Sequence, residues 1–219
     1  GNAGSLVTSE YVRHTRRLAE VEADRRSALL DTLLDGYDEA DQAAAALLRR
    51  AGYLQQRQSY CVALARSVDP REMESAPRAQ RMADALAEVL APVGVRTIIG
   101  IRDHHVVAIL SGTRRTSGWT APQSTIADRV YPALRRIGPA ALIGLSNDAP
   151  STSHIPRAAN EARLALDLAS VSHRVARYAD ISLRQMLITH ARAAAPSSQP
   201  DWAGRLLAAD PRGVLAATL

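Results

Sequence analysis

The chain has 219 residues, 47% of them hydrophobic, which is enough for one sizeable domain with a core of its own. Its net charge of +5 comes from arginines scattered among 22 acidic residues, which is not the dense basic block of a nucleic-acid-binding surface. Cys61 is the only cysteine, so the chain cannot form an intrachain disulfide or a cysteine-based metal site. No apolar run approaches the roughly 20 residues that cross a bilayer. No signal-peptide pattern opens the chain either, and we expect a cytoplasmic protein without a membrane partner.

Two helices are predicted before the first strand. Thr8 or Ser9 can cap a helix that runs to about Leu34, and Asp38 can cap a second helix that runs through Ala51 and is closed by Gly52. The first helix would be ~40 Å long at 1.5 Å per residue. It serves either as a dimer-forming lead-in or as a helix packed along its own domain, and the sequence leaves both interpretations open.

Strands and helices alternate through the middle of the chain. β-Branched residues on both sides of the polar loop Arg102-Asp103-His104-His105 predict a hairpin, and the apolar run 106–110 is typical of a strand covered by helices on both faces. The predicted order is strand, helix, hairpin, helix, strand, helix, strand, over residues 58–68, 74–90, 94–111, 126–137, 140–145, 155–169 and 174–178.

This order resembles the nucleotide-cyclase-like palm of GGDEF domains. Three segments match locally: Ile143–Ser146 resembles the strand before the family's last loop, 157–166 the Ala-rich helix after it, and 174–180 the terminal strand and its exit turn. The resemblance implies an α/β (α+β) fold with an antiparallel hairpin at the centre of the sheet. It also implies N-terminal helices and a C-terminal helical tail around that palm.

The hairpin turn departs from a working cyclase, which presents Gly-Gly-Asp/Glu-Glu-Phe there. In that signature the glycines let the backbone approach the nucleotide, and the acid binds metal together with a second acid near the end of the first strand. Asp69 and Asp103 are the candidate pair for such a metal site here. Both glycines and the phenylalanine are replaced and the chain has no lysine. We therefore predict that the chain is not an enzyme and has no catalytic residues and no cofactor.

A degenerate turn, a long preceding helix and a following linker resemble the central region of PucR/CdaR-type transcriptional regulators. Residues 26–36 resemble the lead-in helix of these proteins, and 203–219 the segment before their helix-turn-helix. The resemblance implies a non-catalytic regulatory region that forms a homodimer, senses a small-molecule effector and places a DNA-binding head downstream. The alternatives are a cyclase-like enzyme with an altered metal site and a ligand-free oligomerisation domain. The predicted domains are 1–56 for the dimerisation helices, 57–193 for the GGDEF-like domain and 194–219 for the linker and the start of the DNA-binding region.

Two sets of residues are candidates for ligand binding. Arg114 and Arg115 in the polar loop after the hairpin can form paired hydrogen bonds with a carboxylate or phosphate, and Trp119 can stack on an effector; an ordinary exposed loop is the alternative. His104 and His105 have the chemistry of metal ligands or pH sensors. Adjacent strand residues point to opposite faces, however, which favours simple exposed turn residues.

Overall fold

The computed structural model of the chain describes residues 17, 21–37, 41–52, 58–113, 125–182 and 185, and the fold below belongs to the compact unit that ends at Ile181. The start of the first predicted helix and the predicted C-terminal linker and helices lie outside the described residues. In the described part of the chain no helix is both long and apolar enough to cross a membrane.

The described strands form a five-stranded sheet in the order β2-β3-β1-β4-β5. All neighbouring strands are antiparallel except β4 and β5, which are parallel. The mixed α+β fold and the predicted order of elements are therefore confirmed. The strands are β1 (Gln58–Ser67), β2 (Arg96–Arg102), β3 (His105–Thr113), β4 (Ala141–Leu145) and β5 (Val175–Arg177).

Helices cover both faces of this sheet. They are α1 (helical over 21–35), α2 (Gln42–Arg50), α3 (Ala76–Leu90), α4 (Ile126–Leu134) and α5 (Ile155–Leu168). The second helix begins at Gln42: the side chain of Asp41 accepts hydrogen bonds from the backbone N–H groups of Ala43 and Ala44, and the predicted cap Asp38 lies outside the described residues. A shift of three residues in the choice of aspartate is within the usual uncertainty of helix boundaries predicted from sequence.

Alternation along the inner strands divides the core into two layers. In β1, Cys61 and Ala63 pack with α3 and α4, whereas Val62 and Leu64 pack with α1, α2 and α5. Because side chains of a strand alternate between faces, a strand with helices on both sides must be apolar throughout. We call the two sides the α3/α4 face and the α1/α5 face.

The hairpin differs in two details from its prediction. Its turn has two residues, Asp103 and His104, because Arg102 pairs with His105 in the β2–β3 ladder. Both turn residues have positive φ, 49° and 61°, a conformation that asparagine, aspartate and histidine adopt more readily than other non-glycine residues. The hairpin supplies one inner strand, β3, and one edge strand, β2; the centre of the described sheet is β1.

The α1/α5 face depends on one close backbone approach. A Cβ atom on Gly144 of β4 would lie 2.0 Å from the carbonyl oxygen of Ala162 and 2.3 Å from the amide nitrogen of Leu166, both in α5. Only glycine allows a helix to lie this near to a strand. Gly144, in the segment Ile143–Ser146, therefore sets how closely α5 packs on the sheet.

Candidate functional site at the hairpin turn

The C-terminal half of α1 packs on the sheet of its own domain. Leu29, Leu30 and Leu33 are buried in the core of the α1/α5 face, whereas residues 21–28 are exposed. Leu30 lies over β2 where Gly100 has no side chain, and a Cβ atom there would be 3.4 Å from Leu30 Cδ1. Of the two interpretations that the sequence leaves open, packing on the same domain therefore accounts for the second half of the helix.

Arg102 at the end of β2 connects the hairpin turn to α1. Its Nη2 donates to Asp35 at 2.6 Å and its Nη1 lies 3.7 Å from Asp31, while Asp103 lies 3.7 Å from its Nε. The hydrogen bond to Asp35 raises the pKa of the Arg102 guanidinium above its ordinary value. This arginine is therefore surrounded by carboxylates of its own chain, two of which belong to α1.

The turn itself is closed by a short internal hydrogen bond. His105 Nδ1 lies 2.6 Å from the carbonyl oxygen of Asp103, and because a carbonyl can only accept, Nδ1 carries the proton. His104 is exposed and His105 is half-buried. The two histidines have different surroundings, as expected for neighbours at a strand end.

The end of α1 is also tied to α5. Gly36 has φ of 80°, and a Cβ atom there would lie 3.4 Å from the Pro156 ring at the start of α5. The hydroxyl groups of Tyr37 and Thr152 are hydrogen-bonded at 2.6 Å. The strand β2, the hairpin turn, α1 and the start of α5 therefore meet at one place.

A cleft of about 190 Å³ lies where these elements meet. Its floor is apolar, with Leu64 and Val107 from the sheet, and its rim is polar. Among the described residues, the rim side chains of Asn160 and Arg163 on α5 form no hydrogen bond or ion pair. Clefts with an apolar floor and a few convergent polar groups are the usual form of small-molecule sites.

The candidate metal pair Asp69 and Asp103 lies at one end of the sheet, because Ala65 of β1 pairs with Val106 of β3 next to the turn. Asp69 accepts a hydrogen bond from the backbone N–H of Arg71 at 3.0 Å and caps a short 3₁₀ turn. Its carboxylate therefore has a structural role. Within the described ranges, no three histidine, cysteine, aspartate or glutamate side chains group as metal ligands.

The predicted effector residues Arg114, Arg115 and Trp119 lie outside the described residues. Their role stays a prediction.

Comparison with known proteins identifies the fold's family. The model of the GGDEF-like domain matches residues 35–168, which is more than half of the chain. The chain belongs to the GGDEF-like domain family. The matched range begins at the end of α1 and includes β1 to β4 with the hairpin.

One similar solved structure is the regulator of polyketide synthase expression from Bifidobacterium adolescentis, at 12% identity and a TM-score of 0.43. The similarity covers 78% of this chain and 65% of that one, so the chain spans less than two thirds of the length of that regulator. No curated protein matches the sequence.

Sequence reasoning missed the acidic side chains that contact the turn. Asp31 and Asp35 are four residues apart, so they share one side of α1, and neither has an arginine four residues away. An acidic pair without a basic partner on its own helix is the signal that could have indicated a partner elsewhere. Its identity could not be predicted, since Arg102 is 67 residues from Asp35.

Proposed function

We propose that this chain is the non-catalytic regulatory region of a PucR/CdaR-type transcriptional regulator that works as a homodimer in the cytoplasm. A DNA-binding head would follow downstream. A small-molecule effector would favour one of two dimer arrangements and so change the spacing of two such heads.

The observation that carries this proposal is that the hairpin turn region contacts a helix of the same chain. In a nucleotide-binding turn, glycines leave room for phosphates. Here Asp103 and His104 occupy the turn, and the adjacent Arg102 is paired with Asp31 and Asp35 of α1. On this proposal, the turn that binds a nucleotide in a working cyclase holds a helix in this chain instead.

The proposal gives α1 two tasks. Its second half is fixed to the domain by Leu29, Leu30 and Leu33, and its first half is exposed at 21–28, with both signs of charge. A second copy of the chain can pair with that exposed half. A change in how two copies pair would then alter the contact between α1 and Arg102 beside the turn, which supports a regulatory role for that contact.

The first experiment measures nucleotide turnover. The chain is incubated with GTP or ATP and Mg²⁺ or Mn²⁺, beside an Asp103→Ala variant. We expect no turnover by either protein. Turnover that Asp103→Ala abolishes would favour the cyclase-like enzyme with an altered metal site.

The second experiment measures association. We expect sedimentation velocity to show a concentration-dependent dimer. A strict monomer at high concentration would contradict the homodimer, whatever the outcome of the turnover assay. A dimer whose melting temperature no metabolite changes would favour the ligand-free oligomerisation domain.

A further inference from the structure

A second hollow, of about 280 Å³, lies on the α3/α4 face between the end of α4 and the segment that leads into β5. None of the described residues that line it is acidic. The lining residues are Tyr131, Arg135, Ser172, His173, Arg174 and Val175.

Arg174 is held in a fixed position by the backbone. Its Nη1 donates to the carbonyl oxygens of Ile137 at 3.2 Å and Gly138 at 2.9 Å. Both bonds leave from the same nitrogen, so the N–H groups of Nη2 and Nε have no acceptor among the described residues. A guanidinium that is already oriented loses little entropy when it binds an anion.

Arg135 provides the second cation. Its guanidinium carbon lies 6.0 Å from the centre of the Tyr131 ring, and its side chain has no carboxylate partner within the described part of the chain. Nearby Arg177 differs, because Asp128 at 2.9 Å and Asp180 at 2.8 Å neutralise it. The hollow thus keeps two uncompensated positive charges beside a neutralised one.

The third side of the hollow is an ordered turn. Backbone hydrogen bonds run in both directions between Ser170 and His173, at 3.1 and 3.0 Å, and the hydroxyl groups of Ser170 and Ser172 lie 3.0 Å apart. Ser172 and His173 are thereby placed at the hollow by the backbone. Their side chains add hydrogen-bonding groups next to the two guanidinium groups.

We propose that this hollow binds the phosphate group of a small phosphomonoester. Arginine N–H groups pair well with phosphate oxygens, and donors from two arginines and a serine are more than the two oxygens of a carboxylate can accept in one plane. The hollow is several times the ~30 Å³ of a water molecule, which leaves room for an organic remainder beside the phosphate. This site is independent of the proposed regulator function, since it shares no residue with the turn or with α1.

The test is calorimetric titration of the chain with ethyl phosphate, inorganic phosphate and acetate at constant ionic strength. We expect saturable one-to-one binding of both phosphates, and binding of acetate at least about tenfold weaker. Arg135→Gln should raise the Kd for ethyl phosphate about tenfold, the effect of one charge-assisted pair. Ser172→Ala keeps the charge and should raise it severalfold.

Arg81→Gln is the matched control, because Arg81 is an exposed helical arginine outside the hollow. We expect it to change the Kd less than twofold. The absence of saturable phosphate binding, or equal losses in Arg135→Gln and Arg81→Gln, would overturn the proposal. Tight, Arg135-dependent binding of duplex DNA without binding of free phosphate would also overturn it, in favour of a nucleic-acid surface.

Discussion

Arg102 on one face of the sheet and the two arginines of the hollow on the other face have opposite surroundings. On the α1/α5 face, Arg102 has three carboxylates of the described residues within 3.7 Å, and two of them come from α1. On the α3/α4 face, Arg135 and Arg174 line a hollow whose described residues include no acid. An arginine therefore connects structural elements in the first case and is available to bind an anion in the second.

Arg177 shows that position on a face alone does not decide this. It lies 5.0 Å from the centre of the Tyr131 ring, near the hollow, yet it is bonded to Asp180 and Asp128. The hydrogen bond between Arg177 and Asp180 raises the pKa of the guanidinium and lowers that of the carboxyl group. Near the hollow, Arg135 and Arg174 therefore differ from Arg177 in having no acid close by among the described residues.

The largest effect should come from breaking the α1/α5 face at its closest contact. Gly144→Ala would place a Cβ atom 2.0 Å from a backbone oxygen of α5, so the helix must move. We expect the free energy of unfolding in urea to fall by about 3 kcal/mol or more. Gly138→Ala is the control, because a Cβ atom there meets nothing within 4 Å. Equal stability of the two variants would show that α5 packs less closely than described.

A smaller loss should follow from removing one anchor of α1. Leu33 is fully buried against the sheet, and Leu33→Ala should lower the free energy of unfolding by about 2–4 kcal/mol. Val21 lies on the same helix but is 64% exposed, so Val21→Ala should have little effect. If the two substitutions were equally mild in urea unfolding, the docking of α1 on its own domain would be wrong.

The burial of Cys61 in the core of the α3/α4 face should make the free energy of unfolding depend on pH. Burial raises the pKa of the Cys61 thiol from 9.0 to about 12, so the thiol is neutral in the folded protein where it ionises in the unfolded chain. The stability it contributes is fully present below pH 9.0 and is lost as the pH rises toward 12. We expect about 1 kcal/mol of unfolding free energy to disappear between pH 8 and 10.

No lysine titrates in this range, because the chain has none, and Tyr60, whose pKa burial raises from 10.0 to about 12, begins to contribute only near pH 10. Urea unfolding at the two pH values measures the loss, and Cys61→Ala should remove most of it. The Cys61 thiol should also react with iodoacetamide only when the protein is unfolded. Rapid alkylation of the folded chain at pH 8 would contradict the burial of Cys61.

The sequence predicts the elements better than it predicts the contacts between them. The hairpin, β4 and α5 follow from local patterns of β-branched, small and helix-favouring residues, and their order is confirmed. The two-residue turn was missed because Asp103 and His104 do not carry the asparagine–glycine pattern of such turns. The pairing of Arg102 with Asp35 and the meeting of Arg135 with Arg174 could not be read from the sequence, since each depends on tertiary packing across tens of residues.

The smallest change in global stability should come from Arg102, because its ion pairs are partly exposed and such pairs contribute up to about 1 kcal/mol. Its local effect is the direct test of the claim that the hairpin turn holds α1. Hydrogen exchange of residues 29–35 should be severalfold faster in Arg102→Gln than in the unsubstituted chain. It should be unchanged in Arg163→Gln, which removes an arginine of the same cleft that has no ion pair among the described residues. Exchange that is equally slow in all three proteins would contradict the account, because the turn would then make no contribution to holding the helix.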